Sequence, residues 1–91
     1  MLSIIVKKTA ELTDESDKYL CYEYILIERN NVFDIVCTDI THGEAEVYTG
    51  VTDNSATALK ILDILFENKV SPLHLDCIID DILAEMETTE E

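Results

Sequence analysis

The fold is decided by residues 19–52, YLCYEYILIERNNVFDIVCTDITHGEAEVYTGVT, in which three apolar runs are separated by two turn signals. Within each run apolar residues recur at every second position, which is the period of a β-strand. The pattern therefore predicts three strands, over residues 19–28, 32–41 and 44–52.

Two short turns connect these strands. Arg29-Asn30-Asn31 supplies the first, because Asn tolerates a positive φ. His42-Gly43 is a candidate two-residue hairpin turn, in which Gly43 is free to adopt the left-handed conformation. Strands joined by such short turns are antiparallel neighbours.

The third strand predicts a sheet with one buried and one wetter face. The alternation assigns Ala45, Val47, Thr49 and Val51 to the first face, and Glu44, Glu46 and Tyr48 to the second. Before these strands, Leu2 to Val6 is short, apolar and β-branched and predicts a further strand. The polar residues 9–18 predict a loop, with a weak turn of helix as the alternative.

The period changes to that of a helix after residue 54. Ser55 is a natural N-cap for a helix from Ala56 to about Asn68, whose apolar residues cover most of its circumference. A second helix begins near Ser71-Pro72, since Ser caps helices and Pro fits their first position. Residues 87–91 are predicted to be a frayed acidic tail.

Strands followed by helices indicate an α+β domain. We expect residues 1–91 to form a single domain, an antiparallel meander of three or four strands with two helices packed on one face. No run approaches the roughly 20 apolar residues of a transmembrane helix. At the N-terminus, apolar residues precede the charged ones, the reverse of a signal peptide, so the predicted location is cytoplasmic.

The charge is strongly negative. Twenty acids oppose six bases, for a formal net charge of −14. Such a charge argues against direct binding of nucleic acid or an anionic membrane, because both are polyanions. It favours a basic protein partner, a cation or solubility alone.

Catalytic chemistry has little support in the sequence. Cys21, Cys37 and Cys77 are far apart and lie in apolar runs, which is typical of reduced core cysteines. The only histidines are His42, in the hairpin turn, and His74, at the helix start, and no nucleophile motif accompanies them. Gly-rich phosphate loops are absent. We therefore expect no enzyme activity and no cofactor.

Metal binding is a further alternative. His74 and Cys77 are three residues apart on one helix face and would need two more ligands. The acids Asp76, Asp80 and Asp81 could gather Ca²⁺ or Mg²⁺, although no loop matches the EF-hand pattern. A solvated acidic helix face explains the same residues, so no metal ligand is assigned.

The acids themselves are the candidate partner-binding residues. Residues i and i+2 of a strand lie about 6.6 Å apart, and residues i and i+4 of a helix lie about 6 Å apart. Phosphates along a DNA strand are spaced on a comparable scale, so rows of carboxylates predict a nucleic-acid mimic that binds a basic groove. The candidates are Glu44, Glu46, Asp76, Asp80, Asp81 and Glu85.

The first helix suggests a different role, because its polar strip is narrow. Ile61 and Ile64 are expected to leave an exposed apolar patch, which is typical of a homodimer interface. On this alternative the chain is a bacterial housekeeping interaction module.

Residues 71–83, SPLHLDCIIDDIL, resemble the end of an uncharacterised family of small Firmicutes proteins. Those proteins end in a similar Ser-Pro-x-His-Leu stretch, followed by two aliphatic residues and two acids, and their aromatic strand is similar to the region of Tyr22 and Tyr24. Cys77 stands where that family has an acid. The resemblance spans the last two-thirds of the chain and implies a bacterial or mobile-element origin with no assigned activity.

In size and acidity the chain is also similar, as a class, to phage-encoded anti-CRISPR inhibitors. The leading expectation is therefore a non-enzymatic inhibitor whose acidic surface blocks a basic, nucleic-acid-binding groove, such as that of a Cas protein. The homodimeric module and a divalent-cation site are the alternatives.

Overall fold

Four strands form one antiparallel sheet in the order β1-β2-β3-β4, so each strand pairs with its neighbour in sequence. The computed structural model describes residues 2–13, 16 and 18–88, with the backbone only at 87 and 88. Its strands are β1 (Leu2–Thr13), β2 (Tyr19–Arg29), β3 (Val32–Asp39) and β4 (Glu44–Thr52). The predicted antiparallel meander is confirmed.

Two helices follow the sheet and pack on one of its faces. They are α1 (Ser55–Glu67) and α2 (Leu75–Thr88), and a 3₁₀ turn over Pro72–His74 leads into α2. The α+β prediction is confirmed. Residues 87 and 88 of the predicted tail belong to α2, and residues 89–91 lie outside the described residues. Among the described helices, none is long and apolar enough to cross a membrane.

The first strand is longer than predicted. Thr9 to Thr13 were expected in a loop, but they pair with β2 as far as Thr13 opposite Tyr19. Their inward side chains, Ala10 and Leu12, contact the core, and this pairing outweighs the polar composition. Residues 14, 15 and 17 of the predicted loop lie outside the described residues.

Both hairpin turns need a positive φ. Asn30 and Asn31 have φ values of 53° and 67°, which confirms the first predicted turn. The second connection is longer than predicted, since β3 ends at Asp39 and residues 40–43 form the turn. Asp39 accounts for the difference, because its carboxylate accepts hydrogen bonds from the backbone N–H and the ring Nδ1 of His42.

The helix starts also differ by small shifts. Asn54, not Ser55, is the N-cap of α1, and its side chain accepts a hydrogen bond from the Thr57 N–H at 3.0 Å. Ser71 stands at the N-cap of the 3₁₀ turn but makes no side-chain cap bond. Pro72 occupies the first position, as predicted.

The core lies between the helices and one sheet face. Its largest fully buried side chains come from the two central strands and both helices: Tyr24, Leu26, Ile35, Ile61, Leu62, Leu65, Leu75, Ile79 and Cys37. At its centre the Tyr24 hydroxyl donates to the Val70 carbonyl at 2.7 Å, and the Tyr24 ring packs edge-on against Phe66. This bond ties the central strand β2 to the segment between the helices.

Ile61 corrects a prediction. The side chain is fully buried in the chain's own core, and Ile64 is partly buried against the same core. Ile61 therefore adds nothing to an exposed apolar patch, because the sheet covers this side of α1.

Candidate interaction surface

The predicted acids of β4 do not lie on the face that the alternation assigned to them. Glu46 is opposite Cys37, and Tyr48 is opposite Ile35, both of which point toward the helices. Residues directly opposite on antiparallel strands share a face. Glu44, Glu46 and Tyr48 therefore lie on the helix side of the sheet, and Val47 points to the other side. The β4 acids remain exposed because β4 is an edge strand.

This placement brings two strand acids toward two acids of α2. Tyr48 joins the elements, since its hydroxyl donates to Asp80 Oδ1 at 2.5 Å. Asp80 and Asp76, one helical turn earlier, line a depression of about 340 Å³ together with Val47, Tyr48 and Thr49. We call Glu44, Glu46, Asp76 and Asp80 the acidic seam.

A second depression, of about 300 Å³, adjoins the other end of the seam. It is lined by Glu44, Ala45, Glu46, Pro72 and Leu73. Pro72 is buried and fixes the 3₁₀ turn, whereas Leu73 is 83% exposed. An apolar side chain thus stands beside two carboxylates, a feature that the sequence pattern alone did not indicate.

The negative charge of the seam affects Tyr48. The hydrogen bond to Asp80, then burial and the negative charges of Asp80 and Asp76, raise the pKa of the Tyr48 phenol. Ion pairs join Lys7 to Glu23, Lys8 to Asp63 and Arg29 to Asp34. All three acids lie outside the seam.

The remaining two predicted acids lie elsewhere. Asp81 and Glu85 are exposed on the other flank of α2, as the helical spacing predicted. Glu85 lines a groove of about 190 Å³ with Lys60, Ile64, Ile82 and Met86. The structure therefore groups four of the six predicted acids and separates two.

Two buried carboxylates were missed by the sequence analysis. Asp34 accepts hydrogen bonds from Arg29 Nε at 3.0 Å and from the Gly50 N–H at 2.8 Å. Burial alone would raise the pKa of this carboxyl, but these bonds and the Arg29 charge outweigh it and hold the pKa below its usual value. Gly50 donates from a register irregularity in β4, where its φ is 67°.

Asp39 is the second of these carboxylates. It is 6% exposed, and its bonds to His42 and Thr41 overcome the effect of burial and lower its pKa. In sequence, Asp34 stands between Phe33 and Ile35, and Asp39 falls on the same alternate positions as Phe33, Ile35 and Cys37, and these were the available signals. Asp34 links β3 to Arg29 of β2 and to Gly50 of β4, and Asp39 stabilises the turn between β3 and β4.

The candidate metal residues are dispersed. His74 and Cys77 are both exposed. Within the described ranges, no three His, Cys, Asp or Glu side chains converge as ligands of one ion would.

Comparison with known proteins gives one finding. A family model, described as a family of unknown function (DUF6514), matches residues 3–85. No curated protein and no solved structure gives a significant match.

Proposed function

We propose that this chain, which belongs to a family of unknown function (DUF6514), is a non-enzymatic inhibitor that binds a basic protein surface through its acidic seam. The observation that carries the proposal is that four exposed carboxylates line two depressions beside β4, the two of β4 in one depression and the two of α2 in the other. The class of target is a nucleic-acid-binding groove, because such a groove is already built to receive rows of negative charge.

Rigidity supports this role. Asp76 and Asp80 stand beside Leu75 and Ile79, which are fully buried and fix the helix on the sheet. The bond from Tyr48 to Asp80 then holds α2 against β4. Carboxylates fixed before binding lose less conformational entropy on contact than those on mobile segments do.

Charge supports the same role. With a net charge of −14, the chain repels nucleic acid and attracts cationic surfaces over roughly a Debye length, about 8 Å at physiological ionic strength. An inhibitor of the anti-CRISPR type, directed at a Cas protein, is the specific form that this chemistry favours. Its binding would be fast at low salt and would weaken as salt rises.

Charge reversal at the seam provides the test. The double variant Glu46→Lys/Asp76→Lys keeps the Tyr48–Asp80 bond and should weaken binding to a purified Cas effector by at least about tenfold, since close charge pairs couple by about 1.5 kcal/mol or more. Calorimetry gives the affinity, and a cleavage assay gives the inhibition.

The matched control is Asp81→Lys/Glu85→Lys, which makes the same change in net charge on the other flank of α2. It should weaken binding far less. Equal losses in the two variants would show that only total charge matters. Binding that is indifferent to both variants and to salt would overturn the proposal.

A further inference from the structure

One face of the sheet carries no helix within the described part of the chain. The helices cover the face that holds Tyr24, Leu26 and Ile35. On the opposite side, which we call the open face, the strands present aliphatic side chains that include Ile4, Ile25, Ile27, Val36 and Val47.

These side chains form a continuous apolar strip. The register places Ile4 opposite Ile27, Ile25 opposite Val36 and Val36 opposite Val47, so the strip crosses all four strands. Ile4 is 66% exposed and Val47 is 52% exposed. Contiguous exposed apolar surface of this kind marks an interaction site.

The open face is also nearly neutral, unlike the rest of the molecule. By register it carries Lys7, Arg29, Glu11, Glu23 and Asp34, and four of these form two ion pairs across the strands. A chain of net charge −14 thus has one broad surface on which another copy can approach without strong repulsion. A basic partner would instead be drawn to the acidic seam.

We propose that two copies of this chain pack open face against open face. The same apolar strip would be buried on both copies, which is an isologous contact with two-fold symmetry. Two sheets about 10 Å apart would then lie between outer helices. Four strands of this length cover roughly 600 Å² in projection, near the lower end of the area per partner in stable interfaces. We therefore expect a dimer of moderate affinity.

Salt separates this contact from binding at the seam. Dimerisation brings two net negative charges together and buries apolar surface, so the dimer should tighten as salt rises. Binding of a basic partner at the seam should weaken under the same change, and the seam would remain on the outer surface of the dimer. Failure of one proposal is therefore distinguishable from failure of the other.

The test is sedimentation equilibrium of the full chain over a concentration series, at low and high salt. The variant Val47→Asp should raise the dimer dissociation constant at least about tenfold, because it buries an unpaired carboxylate in the contact. Leu73→Asp, at a residue 83% exposed on the other side of the sheet, is the control with the same charge change and should leave the constant unchanged. Far-UV circular dichroism checks that both variants fold.

A measurement on the unmodified chain gives an independent answer. Amide resonances of Ile25 and Val36 should shift with protein concentration, whereas those of α1 should stay constant. A chain that is monomeric throughout the series at high salt would refute the proposal. Equal effects of Val47→Asp and Leu73→Asp, or concentration-dependent shifts confined to the helices, would also overturn it.

Discussion

The three cysteines differ sharply in accessibility. Cys37 is fully buried, its Sγ lies 3.5 Å from the Val70 carbonyl, and burial raises the pKa of its thiol to about 12. Cys21 is 8% exposed, whereas Cys77 is exposed on α2. Since a thiol must reach solvent to react, Cys77 is the accessible cysteine of the three.

Thiol labelling of the native chain should therefore modify one cysteine of the three. We expect Ellman's reagent to release one equivalent per chain in native buffer and three after denaturation. Cys77→Ser should abolish the native signal, and Cys21→Ser should leave it intact. Rapid release of two or more equivalents from the native chain would contradict this burial pattern.

Asp34 is predicted to make stability depend on pH. Because its folded pKa is lowered, the carboxylate stabilises the fold above its unfolded pKa of about 3.9, and this contribution is lost as pH falls through the folded value. Asp34→Asn should lower the free energy of unfolding by about 2 kcal/mol at neutral pH, since it weakens charge-assisted bonds.

Urea denaturation between pH 2 and 7 measures this effect. The control is Asp53→Asn, the same substitution at an exposed residue. The difference in the free energy of unfolding between wild type and Asp34→Asn should stay constant above about pH 5 and become smaller below about pH 4. A gap that is independent of pH down to pH 2 would show that the loss is due to packing and not to charge.

At the scale of elements, the end of α1 is a Schellman motif. The Val70 N–H donates to the Leu65 carbonyl and the Lys69 N–H to the Phe66 carbonyl, at 3.1 and 3.2 Å. Lys69 has a φ of 50°, the left-handed conformation that this position requires. Gly is usual there, because a Cβ is strained in this conformation.

Lys69→Gly should therefore stabilise the chain by about 1 kcal/mol. The control is Lys60→Gly, which removes the same charge from the exposed middle of α1 and should cost about 1 kcal/mol. The midpoint of urea denaturation reports both changes. A loss of stability at both positions would show that the Lys69 side chain makes a favourable contact.

Elements with a strong period could be predicted from the sequence, and those positioned by pairing could not. The apolar alternation was sufficient to predict β2 and β3, and the helical spacing was sufficient to predict α1 and α2. The second half of β1 was missed because only Ala10 and Leu12 mark its inner face, and its strand character depends on β2. The faces of residues 44–48 in β4 were inverted, because Val47 lies on the open face. Val51, beyond the register irregularity, is buried as predicted.

At the scale of the whole molecule, the grouping of acids could not be predicted. Local spacing showed that Asp76 with Asp80, and Asp81 with Glu85, share flanks of one helix. Which flank faces β4 depends on how α2 packs against the sheet, and the Tyr48–Asp80 bond fixes that arrangement. The same long-range packing buries Ile61 and leaves Val47 exposed, so the apolar surface lies on the sheet and not on α1.

The order of the elements also has a consequence for synthesis. β2, β3 and β4 each pair with the strand made just before them. The sheet can therefore form as the chain leaves the ribosome, because each pairing closes only a short loop. The inner face of the sheet, with Tyr24 and Ile35, then remains exposed to solvent until α1 and α2 emerge. During that interval both faces of the nascent sheet are bare, which is when the chain is most exposed to aggregation and most in need of a chaperone.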